Sequence, residues 1–154
     1  MISHYITGNI VKLFLEGKHV AHGCNCFHSM GAGVAGQLAK AYSPILSIDK
    51  AGSDYGCANK LGTFTRASLH RGSNANYCFN LYTQFEPGPN LDYAALLGAF
   101  IELDSFSASL ITPLTVYIPR IGAGIAGGDW DKIELLINNF TPNTKIIVVD
   151  WDGE

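Results

Sequence analysis

The stretch HGCNCFHSMGAGVAGQLAKAY at residues 22–42 joins a strand-like segment to a helix-like one through a glycine-rich turn. Its hexapeptide GAGVAG at 31–36 is nearly repeated as GAGIAG at 122–127, and both copies match the spacing G-x-G-x-x-G. Glycine allows positive φ and close backbone approach, and the amides at a helix N-terminus attract an anion. The two loops therefore predict phosphate binding, with tight strand-to-helix turns as the alternative explanation.

A dinucleotide-binding Rossmann site is not expected at either loop. In that fold the glycines follow a strand directly, and an acid about 20 residues later holds the ribose. The segment NCFHSM separates the first loop from its strand, and neither Asp49 nor Asp54 ends a following strand. The second loop has too little sequence after it for the remainder of that fold. Because both loops follow strands of an α/β sheet, we expect them to face each other and hold a diphosphate.

Apolar runs and helical periodicity alternate along the chain, which predicts an α/β fold. The expected strands are 4–8, 19–24, 61–68, 76–83, 114–120 and 145–151. The expected helices are 34–42, 44–55, 93–106 and one that starts near Asp129. The hairpin-like pair 61–68 and 76–83 predicts an antiparallel portion in a mixed, largely parallel central sheet.

Composition and charge limit the class of protein. The 154 residues are 47% hydrophobic and 15% charged, which favours one well-packed domain over a disordered chain. The net charge is −3 and there is no basic run, so intrinsic nucleic-acid binding through phosphate neutralisation is not expected. No segment is typical of a signal peptide or a membrane span, which predicts a cytoplasmic protein with no membrane partner.

The cysteines are expected to be reduced, buried side chains. Cys24 and Cys26 form a single C-x-C within strand-like residues, whereas zinc clips use paired C-x-x-C motifs. A cluster of these two with His22 or His28 remains an alternative. We therefore expect no metal and no cofactor.

Taken together, HGCNCFHSMGAGVAGQLAKAY and IPRIGAGIAGGDW resemble the macrodomain, the α/β/α module that binds ADP-ribose. The segments TGNI at 7–10, NLYTQ at 80–84 and KIIVVDW at 145–151 extend the resemblance over most of the chain. The resemblance implies a single macrodomain over 1–154 with a three-layer α/β/α fold. It also implies an ADP-ribose derivative as ligand, free or carried on an ADP-ribosylated macromolecule.

Within this family, His-x-Cys-Asn-Cys followed by a glycine loop resembles the ADP-ribose-1″-phosphate phosphatase branch, to which the terminal ADP-ribose glycohydrolases are related. The resemblance implies a phosphoric monoester hydrolase acting on ADP-ribose-1″-phosphate. One alternative is a mono-ADP-ribosyl hydrolase that acts on modified protein or nucleic acid. The other is a module that binds ADP-ribose without turnover.

The resemblance also implies which residues contact the ligand. Asn9 stands where most macrodomains carry an Asp beside adenine, and its amide oxygen can accept from the exocyclic amine. The first loop would contact the diphosphate and the distal ribose, and the second would close over the diphosphate from the other side. The expected ligand-binding residues are Gly8, Asn9, Ile10, Gly31, Ala32, Gly33, Val34, Ala35, Gln84, Ile121, Gly122, Ala123, Gly124, Ile125 and Ala126.

Three side chains are expected to be catalytic by the same resemblance. Asn25 would bond the distal ribose, His22 would serve as acid or base, and Asp129 would be the base for an attacking water. Their structural alternatives are a local backbone contact, a core histidine and a helix N-cap. Glycohydrolase relatives carry Asp in place of Ala126 and Lys in place of Gln84, so these departures favour a phosphatase or a binding module.

Overall fold

A computed structural model describes residues 1–153, in which strands and helices alternate along the chain. The strands are β1 (Ile2–Gly8), β2 (His19–Cys24), β3 (Phe64–Arg71), β4 (Asn74–Tyr82), β5 (Thr115–Ile118) and β6 (Lys145–Trp151). The helices are α1 (Ile10–Leu15), α2 (Gly33–Ala41), α3 (Pro44–Ala51), α4 (Tyr93–Ser109) and α5 (Trp130–Phe140), with a 3₁₀ turn at Ala58–Lys60.

The strands form one six-stranded sheet in the order β1-β6-β5-β2-β4-β3. All neighbouring strands are parallel except β3 and β4, which are antiparallel. A short turn at Gly72 suffices to join β3 to β4, whereas parallel neighbours need a longer crossover. The predicted mixed, largely parallel sheet is thus confirmed, including its antiparallel pair.

Helices cover both faces of this sheet, and each face has its own apolar core. Phe100 and Ile137 of α4 and α5 pack on one face, and Phe14 and Leu38 of α1 and α2 pack on the other. Strands covered on both faces bury successive side chains, which explains the continuous buried run IIVV at 146–149. The predicted α/β/α layering is therefore confirmed.

The strands β2 and β5 are neighbours, yet the helices that follow them lie on opposite faces of the sheet. A crevice opens at the carboxyl ends of two such strands because their connections diverge. The glycine segment 31–36 follows β2 and includes the first turn of α2, and the loop 122–127 lies between β5 and α5. Both glycine loops therefore border the same crevice.

The strand predicted over 61–68 lies at Phe64–Arg71, and two predictions about helices were wrong. Ile10–Leu15 forms a helix that was not predicted, because the Asn9 side chain caps it by accepting from the N–H groups of Val11 and Lys12 at 2.9 and 3.2 Å. The helix predicted over 44–55 is shorter, since its last turn is followed by Gly52. No helix within residues 1–153 has the length and apolar character needed to cross a membrane.

Candidate functional site

A crevice of about 420 Å³ lies over the carboxyl ends of β2, β4 and β5, a size typical of small-molecule sites. Three of its lining residues are packed closely together. A Cβ added to Gly23 would lie 3.0 Å from Thr83 Oγ1 and 3.1 Å from Ile121 Cγ2. Glycine at the end of β2 therefore leaves the strand backbone itself at the wall of the crevice.

The first glycine loop presents the start of a helix to the crevice. α2 begins at Gly33, and its N-cap Ala32 has no side chain that can accept from the first-turn amides. Those amides have no partner within the helix. Gly33 has φ +60°, and a Cβ on Gly36 would lie 3.0 Å from the carbonyl carbon of Gly31. Because 31–35 line the crevice, this loop offers it N–H donors and the positive end of the helix dipole.

The second glycine loop forms the facing wall. Gly122 has φ +81°, a conformation that favours glycine. Gly128, just after the loop, is so crowded that a Cβ would lie 2.3 Å from Leu91 Cδ2 and 2.6 Å from the carbonyl oxygen of Gly122. Ile125 reaches the opposite wall, since its Cδ1 lies 3.5 Å from where a Cβ on Gly33 would stand. The two loops therefore approach each other across the crevice.

His22 lies in the wall of the crevice with only 1% of its surface exposed. Its Nε2 is 2.6 Å from Asn80 Oδ1. Burial lowers the pKa of the imidazole to about 4, although the Asn80 hydrogen bond and the Asp49 charge oppose this shift. At pH 7 the ring is therefore neutral, with one nitrogen that donates and one that accepts.

We expect the burial of His22 to make the fold less stable in mild acid. The imidazole binds its proton with a pKa of 6.5 in the unfolded chain but only at about 4 in the fold. The stability contributed by the neutral ring is thus complete above pH 6.5 and is lost as the pH falls toward 4. Denaturant unfolding at several pH values should show a steeper loss for the wild type than for His22→Gln. Equal slopes over this window would contradict the prediction.

Asn25 lines the crevice and also holds the turn that follows β2. Its Oδ1 accepts from the Phe27 N–H at 2.8 Å, and its Nδ2 donates to the Ser29 carbonyl at 3.2 Å. This is the local bonding typical of Asn after a strand. The second lone pair and the second N–H of the amide can still meet a ligand. Asn25 therefore makes the local backbone contacts that were its structural alternative, and its amide can still bond the distal ribose of a ligand.

Asp129 lies outside the lining of the crevice and is exposed. It is the N-cap of α5, where its Oδ1 accepts from the Asp131 N–H at 3.0 Å. Its own N–H donates to the Tyr93 hydroxyl at 2.8 Å. The structure thus gives Asp129 a clear capping role.

Gln84, which stands where glycohydrolase relatives carry Lys, lines the crevice and braces the loop after β4. Its Nε2 donates to the carbonyl oxygens of Glu86 and Gly88 at 2.7 and 2.9 Å. These carbonyls occupy both hydrogens of the amide. The side-chain oxygen of Gln84 is therefore the atom of this amide that can accept a hydrogen bond from a ligand.

The other residues expected to bind ligand fall into two groups. Those of the two loops line the crevice together with Ile121, except for Ala123. Gly8, Asn9 and Ile10 lie at the end of β1 and outside that lining. β1 is at the edge of the sheet, and both β6 and β5 separate it from β2. The crevice therefore brings the two glycine loops together but not the β1 end.

Arg120 lines the crevice and was not predicted from the sequence. Its guanidinium donates to Asp150 from Nε and Nη2 at 2.8 and 3.2 Å. It also lies over the rings of Tyr5 and Trp130, 5.2 and 5.7 Å from their centres. The sequence offered one signal for this residue, its position two residues before GAGIAG. The partners that hold its side chain come from three other segments of the chain. The crevice thus has a permanent positive charge at one edge, held by a carboxylate and two aromatic rings.

The thiol of Cys24 also lines the crevice. Burial raises its pKa well above the usual value, so the thiolate needed for nucleophilic attack does not form at neutral pH. Within residues 1–153, no three His, Cys, Asp or Glu side chains are grouped to hold a metal, so the possible cluster with His22 or His28 does not form. Cys24 serves as a small buried side chain.

No family model matches the sequence. The chain is 49% identical over 152 residues to an uncharacterized 17.5 kDa protein in the tk-vs intergenic region of enterobacteria phage T4, with 99% of this chain and 98% of that protein covered. Among solved structures, the macrodomain of Mycobacterium tuberculosis DarG matches with a TM-score of 0.74 at 19% identity, over 97% of both chains. Thermosipho africanus DarTG in complex with ADP-ribose matches with a TM-score of 0.70 at 12% identity, over 89% of this chain and 39% of that one.

These similarities differ in what they establish. The solved structures have low sequence identity, so they establish a common fold and not a common activity. They confirm the macrodomain fold that the sequence resemblance implied. The phage T4 protein shares nearly half of its residues over almost the whole length of both chains. The chain therefore belongs to the family of this phage T4 protein and has the macrodomain fold.

Proposed function

We propose that the protein binds ADP-ribose in the crevice and hydrolyses the phosphate ester of ADP-ribose-1″-phosphate. The observation that carries the proposal is the pair of glycine loops that face each other across the crevice. Their backbone amides and the helix dipole can bind a diphosphate in a chain of net negative charge. DarTG, which shares the fold, has been solved with ADP-ribose, and this supports the choice of ligand.

The resemblance of HGCNC and its glycine loop to the phosphatase branch supports the choice of reaction. Water attacks the phosphorus, the bond from phosphorus to the C1″ oxygen breaks, and that oxygen takes up a proton. The products are ADP-ribose and inorganic phosphate. Asn25 would orient the distal ribose, and the neutral ring of His22 would accept a proton from the attacking water. Asp129 would assist as a second base.

The purified protein should bind ADP-ribose in isothermal titration calorimetry and release inorganic phosphate from ADP-ribose-1″-phosphate. Loss of the acid-base group in His22→Gln is expected to slow the release by roughly 100-fold. Asp129→Asn removes a carboxylate but keeps an efficient N-cap, and Asp131→Asn is its matched control on the same helical turn. Slower release in Asp129→Asn alone would assign that carboxylate to the reaction. Equal rates in both variants would leave Asp129 as a helix cap.

A binding module without turnover is the second candidate, because the described lining of the crevice includes no carboxylate and no lysine. Binding of ADP-ribose with no release of phosphate would reject the phosphatase. Release of ADP-ribose from modified protein or nucleic acid would then identify a mono-ADP-ribosyl hydrolase, and no turnover at all would identify the binding module. Failure to bind ADP-ribose would reject the whole proposal.

A further inference from the structure

Through a series of hydrogen bonds, Asn80 connects His22 in the wall of the crevice to the buried ion pair of Asp49 and Lys60. It lies on β4 with no exposed surface. In the sheet it is the direct partner of His22 on β2 and of Thr65 on β3. The side chains of these three residues are therefore neighbours across adjacent strands, and Asn80 Oδ1 lies 2.6 Å from His22 Nε2.

The side-chain amide of Asn80 has a single satisfactory orientation. Its Nδ2 lies 3.2 Å from the Ile45 carbonyl oxygen and 3.1 Å from Thr65 Oγ1. A carbonyl oxygen can only accept, so the NH₂ group must face Ile45. The amide oxygen then faces His22, where it too can only accept. His22 Nε2 must therefore carry the hydrogen in this contact.

Beyond Asn80, each group again donates its hydrogen to the next group away from His22. Tyr82 donates its one hydroxyl hydrogen to Asp49 Oδ1 at 2.7 Å, and Thr65 Oγ1 lies 2.8 Å from the Tyr82 oxygen. Thr65 must therefore donate to Tyr82 and accept from Asn80. The chain ends at a carboxylate that also accepts from Lys60 Nζ at 2.7 Å. Every donor from His22 to Asp49 thus has a matching acceptor.

We propose that Asn80 is a positioning residue that sets the tautomer of His22, with hydrogen on Nε2 and the lone pair on Nδ1. Cys24 Sγ lies 3.8 Å from Nδ1 and 3.7 Å from Nε2, and because Nε2 already donates to Asn80, the thiol can donate its hydrogen only to the lone pair of Nδ1. The lone pair of Nδ1 is therefore held by this weak donor in the unliganded protein, and a water or hydroxyl group in the crevice would replace the thiol there. Its use in hydrolysis rests on the proposed function, whereas the tautomer is a property of the unliganded protein.

The tautomer can be read directly from ¹⁵N-labelled, unliganded protein by long-range ¹H–¹⁵N correlation spectra at neutral pH. The signals of His22 are identified by their loss in His22→Gln. We expect a protonated Nε2 and an unprotonated Nδ1. The reverse assignment, or a mixture of the two tautomers, would overturn the proposal. Because no ligand is present, this result is independent of whether the protein proves to be a phosphatase.

A matched pair of variants separates positioning from packing. Asn80→Leu removes the acceptor of the Nε2 hydrogen, and Asn76→Leu makes the same change four residues earlier on β4, where Asn76 bonds the carbonyls of Phe14 and Lys18 instead. We expect the His22 ring signals to shift toward a mixture of tautomers in Asn80→Leu and to stay unchanged in Asn76→Leu. A folded Asn80→Leu protein with the wild-type ring signals would overturn the proposal. The wild-type spectrum alone still tests it if neither variant folds.

Discussion

Asp49→Ala is expected to lower the free energy of unfolding by about 3–5 kcal/mol. The carboxylate is 1% exposed and accepts from Lys60 Nζ and the Tyr82 hydroxyl, both at 2.7 Å. Without it, the ammonium group of Lys60, itself 5% exposed, is buried with no opposite charge beside it. The loss follows from that stranded charge and from the lost partner of Tyr82. Denaturant unfolding measures it.

Two controls sharpen this result. Asp150→Ala breaks an exposed ion pair with Arg120 and is expected to cost less than about 1 kcal/mol. The double variant Asp49→Leu with Lys60→Met removes both buried charges and should recover part of the stability lost in Asp49→Ala. Equal losses in Asp49→Ala and Asp150→Ala would contradict the importance given to burial.

Gly128→Ala is expected to lower the stability by about 1–3 kcal/mol and to weaken ADP-ribose binding by about tenfold or more. The new Cβ would lie 2.3 Å from Leu91 Cδ2 and 2.6 Å from the carbonyl oxygen of Gly122. A backbone oxygen cannot move aside alone, so the start of the second loop must shift. Leu91 is also bonded to that loop, since its N–H donates to the Ala126 carbonyl at 3.2 Å. The shift therefore reaches the wall that would bind the diphosphate.

Gly124→Ala is the matched control in the same loop. A Cβ at Gly124 would have no neighbour within 4 Å, and its φ is not in the left-handed region. We expect its stability to equal that of the wild type. Calorimetry with ADP-ribose and denaturant unfolding should be run on both variants. The same loss of stability in both would contradict the packing argument, and unchanged binding in Gly128→Ala would contradict the role of this loop in the proposed site.

The sequence predicted the regular elements best where the local pattern was strong. The apolar runs at 19–24 and 145–151 were predicted with the same bounds as β2 and β6. The helix Ile10–Leu15 was missed because six residues are too few to show a helical period. Its capping residue, Asn9, is the residue that the family resemblance places beside adenine.

The sequence predicted the site less evenly. The two loops could be recognised because a need for glycine is a local property of the backbone. Arg120 could not be recognised, since its partners Asp150, Tyr5 and Trp130 come from separate segments. The residue type of His22 suggested acid-base chemistry, but burial is what lowers the pKa of its imidazole from 6.5 to about 4 and keeps the ring neutral in mild acid.

Local residue preferences were thus sufficient to define an α/β chain with two glycine loops whose spacing predicts anion binding. Tertiary structure alone determined that the loops share one crevice, because only the strand order makes β2 and β5 neighbours whose helices diverge. Tertiary structure alone also determined the hydrogen-bond partner of His22. Asn80 is 58 residues away in sequence and becomes its neighbour through the parallel pairing of β2 with β4. Parallel pairing requires long crossovers, so the contacts that surround His22 join distant parts of the chain.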